Sequence, residues 1–164
     1  MEKDITDEIL KNLRQSLSEQ EEKEVEKDDE ESEETETTGQ NSDFDEMVST
    51  LLHSQTQVHI FHLGAKGNGS YAAHKALQGY YEGIDALVDG LIESYQGKYG
   101  LVEEYNTYKM RKFESVENCI SYLESLGEMI NEKRESVEDS FLQNQIDTVQ
   151  ELLYSTLYKL KFLK

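Results

Sequence analysis

The stretch FHLGAKGNGSYAAHKALQGYYEGIDALVDGLIES, residues 61–94, holds the end of one apolar periodicity, a glycine-rich break and the start of another. After the break Leu77, Tyr81, Ile84, Val88, Leu91 and Tyr95 recur at steps of three and four. That period predicts a helix from about Tyr71 to Gln96, stopping at Gly97 and Gly100. Before the break Phe44, Val48, Leu51, Val58 and His62 keep the same period, with Gln55 filling the one gap, and GAKGNG closes the segment. Downstream, Phe113, Val116, Ile120, Leu123 and Ile130 set out a third helix, and Ile146, Val149, Leu153, Leu160 and Leu163 a fourth. Period-two alternation is absent, so no sheet is expected. Four helices of roughly 20 to 25 residues with short connections make an antiparallel four-helix bundle the economical all-α fold.

Charge divides the chain. It has 164 residues and a net charge of −19, yet residues 1–43 alone hold 17 Asp and Glu against 5 Lys and Arg, a net of −12, leaving −7 for the rest. Residues 18–43 contain one apolar side chain, Val25, and cannot bury enough surface to offset the entropy of ordering, so they read as a disordered acidic linker. Ahead of it, residues 1–17 place Ile5, Ile9, Leu10, Leu13 and Leu17 at helical spacing, a short amphipathic segment suited to docking on a protein partner or on the domain, or a nascent helix with none. The folded domain is expected over residues 44–164. Strong negative charge repels phosphate backbones, so nucleic acid is not an expected partner. No stretch approaches the roughly 20 apolar residues that span a bilayer, no signal peptide opens the chain, and Cys119 stands alone; a cytoplasmic setting with no membrane partner is expected.

All four histidines fall between His53 and His74. On a helical wheel His62 lies near the centre of the first helix's apolar face, His59 about 60° to one side, and His53 points away. His74 opens the second helix across the turn, where its ring and that of His62 can converge. Further along, Asp85, Asp89 and Glu93 stack on one flank at steps of four, where like charges repel unless a cation sits among them. Each feature alone has a plainer reading: a hydrogen-bonded core histidine, and a solvated helix flank. Asp89 lies fifteen residues beyond His74, about 22 Å along a helix axis, so one chain cannot bring both sets to one metal. A two-fold partner with its second helix antiparallel can, pairing His62 and His74 of one chain with Asp89 and Glu93 of the other.

The intervals of twelve, fifteen and four residues through His62, His74, Asp89 and Glu93, together with the surrounding stretch, resemble the intersubunit ferroxidase pattern of Dps-like mini-ferritins. The resemblance extends over residues 44–164, fading toward DTVQELLYSTLYKLKFL. It implies a ferritin-like subunit, usually assembled as a twelve-subunit cage, that oxidises Fe(II) and stores or detoxifies iron, with His62, His74, Asp89 and Glu93 as the catalytic ligands. The same stretch is also similar to an uncharacterised phage-encoded family, which would make the setting a host cytoplasm. Leu63 stands where the mini-ferritins often carry Trp and Gln78 where many have a further acidic ligand, which bears on the second iron position. The acidic arm replaces the usual Lys-rich one and argues against DNA binding.

Two imidazoles and two or three carboxylates, Asp85 included, form a mixed nitrogen and oxygen shell suited to Fe(II), with Zn(II) and Mn(II) as competitors. Tyr80, Tyr81 and Tyr95 are candidates to absorb stray oxidising equivalents, or simply pack. The competing reading is a non-enzymatic helical-bundle interaction protein tethered by its acidic arm. Nucleophilic catalysis finds no support, because Cys119 is remote in sequence from any His, and GAKGNG lacks the Lys and Ser/Thr ending and the preceding strand of a phosphate-binding loop.

Overall fold

The structure, a computed structural model, describes residues 38–67 and 69–163. The amphipathic segment expected at residues 1–17 and residues 18–37 of the expected linker lie outside them. Four helices follow in order: α1 (Thr38–Gly64), α2 (Ser70–Tyr99), α3 (Val116–Arg134) and α4 (Ser140–Phe162), with no strand among the described residues. None of these helices is long and apolar enough to cross a membrane. The first begins six residues before Phe44, taking in Thr38 to Asp43 from the expected linker.

Local signals set the helix ends. Gly67 and Gly69 in the α1–α2 turn take φ of 96° and 75°, a backbone open to glycine at little cost. Gly97 stays inside α2, and Gly100 caps it instead with its N–H on the Gln96 carbonyl. Phe113, expected in the third helix, precedes it: Ser115 is the N-cap of α3, and its hydroxyl accepts from the Asn118 N–H at 3.3 Å. Asp139 caps α4 without a side-chain bond, because Lys98 Nζ and the Tyr99 hydroxyl already donate to its carboxylate.

Helix α1 packs on α2 and α3, and α4 on the same two from the opposite corner. Leu51, Leu77, Ile84, Leu91, Leu123, Ile130, Ile146 and Leu153 are wholly buried between them, each such side chain stabilising the fold by about 1.5–3 kcal/mol. Leu153 seats against Gly127 of α3, and Leu152 against Gly83 of α2.

One connection is not short. Residues 100–115 run back along α1: the Asn106 N–H donates to Ser49 Oγ, the Thr50 and Tyr108 hydroxyls share a hydrogen bond, Gln57 holds Arg111, and Phe113 lies on Gly64. Fifteen helical residues from Ser49 to Gly64 span about 22 Å, and seven extended ones from Asn106 to Phe113 about 23 Å. The crossover is therefore nearly straight. It returns the chain to the Gly64 end, so α3 runs parallel to α2 and antiparallel to α1, bringing Lys133 to Asp43 and Glu46 at 2.6 and 2.7 Å. An antiparallel bundle with one such crossover has the connectivity of ferritin-like folds.

Candidate metal centre

His62 comes from the last turn of α1 and His74 from the second turn of α2, joined by the five-residue turn. Their rings stack at 3.6 Å between centroids. His62 Nδ1 lies 2.9 Å from the His74 carbonyl oxygen, and His74 Nδ1 3.2 Å from that of His62. A carbonyl only accepts, so both Nδ1 atoms carry the hydrogen, and a neutral ring so held has its lone pair on Nε2. That is the arrangement a metal-ligating histidine needs, with the second nitrogen tied to an oxygen that fixes tautomer and ring orientation. The His62 carbonyl, in the last turn of α1, accepts from the Ala65 N–H at 3.3 Å as well as from the His74 ring.

Two more rings complete the corner. Tyr81 meets His62 edge-on at 5.1 Å and stacks on His59 at 4.1 Å. Burial follows the wheel: His62 is 7% exposed, His74 half-buried and His59 exposed. His53 points away from the core but is not bare, since Tyr108 of the crossover covers it edge-on, and this burial, aided by Arg111, pushes its pKa down. Of the three tyrosines considered from sequence, Tyr81 alone stands at the histidines. Tyr80 is wholly buried and shares a hydrogen bond with Ser54, and Tyr95 stacks on Phe44 at the far end of α2.

The carboxylates occupy the outer flank of the same helix. Asp85 accepts from Gln55 Nε2 at 3.0 Å, which ties it to α1. Asp89 and Glu93 are exposed. No group of three or more His, Cys, Asp or Glu side chains stands close enough to hold a metal among the described residues. The histidine pair is thus assembled within one chain, and Asp89 and Glu93 do not join it there. Gln78 accepts from Lys75 and donates to Glu82, both at 2.7 Å, lying in a surface ladder on the same flank.

Sequence spacing located both residue sets but not the crossed hydrogen bonds, because backbone carbonyls leave no mark in the residue types. The pairing of Gln55 with Asp85 was hidden for a different reason: its partners are thirty residues apart. Cys119 is buried with its thiol pushed up to about 12, which leaves it an inert packing group. The chain matches no curated protein and no solved structure. The match to a family of unknown function (DUF5856) covers residues 62–160, more than half of the chain and all of the span from His62 to Glu93, and the chain belongs to that family.

Proposed function

We propose that the protein is a mini-ferritin-like subunit that binds Fe(II) between two copies of itself and oxidises it. His62 and His74 of one chain and Asp89 and Glu93 of its partner supply the ligands. One observation carries the reading: the crossed Nδ1–carbonyl bonds of His62 and His74, which fix both rings at a helix corner and leave Nε2 as the coordinating nitrogen of each. The outer flank of α2 supports it. Gly79 and Gly90 leave open space where a Cβ would stand, and with Ala86 they lower the surface between the acidic residues so that a partner helix can approach. Each Fe(II) gives up one electron to dioxygen or peroxide, and the hard carboxylate oxygens favour the Fe(III) that results. Zn(II) and Mn(II) fit the same donor set, and Asp85, held by Gln55, stands beside it as a lesser ligand.

A second reading has its own observation. Tyr154, Tyr158 and Phe162 of α4 form an exposed aromatic stripe at steps of four, as on a bundle that binds another protein. Aerobic addition of Fe(II) to metal-free protein separates the two. The proposal expects oxidation faster than in buffer, abolished in the variant His62→Ala with Asp89→Ala; rates equal to buffer, or unchanged in that variant, would remove it.

A further inference from the structure

The crossover as a whole is charge-balanced, but its segment 109–112 gathers three positive charges in an acidic protein. Lys109, Arg111 and Lys112 lie within four residues, and none of them forms an ion pair among the described residues, whereas Lys98, Lys133, Arg134 and Lys161 each do. Arg111 is nonetheless held in place. The wholly buried Gln57 accepts from its backbone N–H at 2.7 Å and donates to its carbonyl at 2.8 Å. Its guanidinium lies 5.8 Å from the centre of the Tyr122 ring.

Two cavities, of about 430 and 640 Å³, share Arg111, Lys112 and Tyr122 in their walls, a size that takes a small organic molecule. Phe61, Leu126 and Met129 give the first an apolar side, with Ser121 and Ser125 hydroxyls beside it. Glu114 is the one carboxylate on either lining, so each carries net positive charge. The Tyr122 hydroxyl is buried with no hydrogen-bond partner among the described residues, an unusual condition for a buried polar group. Burial pushes its pKa up to about 12, so it keeps its proton and is a ready donor.

We propose that these adjacent cavities, which share a wall, bind a small organic anion, a carboxylate or phosphate on an apolar body. Arg111 and Lys112 take the charged group, the planar guanidinium bonding two of its oxygens. Tyr122 donates to a third position, and Phe61, Leu126 and Met129 hold the apolar part. The site lies apart from the histidine pair and stands or falls independently of the metal reading.

Calorimetric titration of the full chain tests this with phenyl phosphate and benzoate, against inorganic phosphate and benzyl alcohol as controls. Saturable binding of the aryl anions is expected, with inorganic phosphate several-fold weaker and the alcohol inert. Arg111→Gln, which leaves the backbone clamp to Gln57 intact, should weaken phenyl phosphate about tenfold, and Tyr122→Phe a few-fold. Absence of saturable binding, or equal affinity in Arg111→Gln, would overturn the proposal. So would poly-glutamate displacing phenyl phosphate at lower concentration through Arg111, since the groove would then be a surface for acidic polypeptide.

Discussion

The two halves of α2 carry the same kind of chemistry in opposite conditions. At its N-terminal end His74 is locked to His62 by two hydrogen bonds and a ring stack, complete within one chain. Toward its C-terminal end Asp89 and Glu93 face outward along a flank of acidic and small residues. A folded chain tolerates an exposed carboxylate flank at small cost, whereas a buried imidazole must have its N–H answered. The first half is therefore read from the subunit, and the second only from what the subunit meets.

Substitution at each half should break this symmetry. His62→Ala with His74→Ala is expected to lower Zn(II) or Fe(II) affinity by about a hundredfold or more, and to destabilise the metal-free chain by about 1–3 kcal/mol through the lost crossed bonds. Asp89→Asn with Glu93→Gln should cost similar affinity yet leave metal-free stability unchanged, or raise it by about 0.2–0.5 kcal/mol as like charges disappear. Calorimetric titration and denaturant unfolding read both quantities; equal stability losses in the two variants would contradict the comparison.

Glycines mark the same contrast. A Cβ at Gly64 would overlap the Phe113 side chain, so Gly64→Ala should cost about 1–3 kcal/mol as the crossover shifts. A Cβ at Gly79 meets nothing within 4 Å among the described residues, and Gly79→Ala should stabilise the subunit by about 0.5–1 kcal/mol. Unfolding midpoints with unchanged slopes check the pair.

The smallest effect lies at the far end of the bundle. Hydrogen bonds from Lys98 and Tyr99 hold the Asp139 carboxyl below its ordinary value of 3.8. A carboxylate depressed in the folded state stabilises above the unfolded value and loses that contribution as pH falls through the lower folded one. Asp139→Asn should therefore flatten stability against pH in the acid range and leave the slope above pH 5 untouched. Acid unfolding curves that superimpose would refute this.

The bundle was legible in sequence because a period of three and four repeats through Leu77, Ile84, Val88 and Leu91 with little interruption. The crossover was not. Residues 100–115 lack periodicity, and their course depends on Ser49, Thr50 and Gln57 of α1, polar residues whose partners lie more than fifty positions away. The start of α3 slipped for the same reason: Phe113 fits the apolar period, but its ring packs on Gly64 from the crossover, and Ser115 opens the helix. Of the candidate site, the histidine corner could be foreseen because a five-residue turn joins its two sides. The carboxylate set was legible as residues and not as a contact, since any ion they share with the histidines has to be bound across two chains.

Complementation between two damaged chains tests that last step most directly. One variant carries His62→Ala and His74→Ala, the other Asp89→Asn and Glu93→Gln, and each alone should bind no Fe(II) or Zn(II) at this site. On co-expression the proposed two-fold would yield mixed dimers in which the intact histidines of one chain face the intact carboxylates of the other. One whole site per mixed dimer then returns about a quarter of wild-type metal occupancy under random pairing. Recovery to that level is the predicted result, and occupancy that stays at the level of the two variants alone would contradict a site built between two copies of the chain.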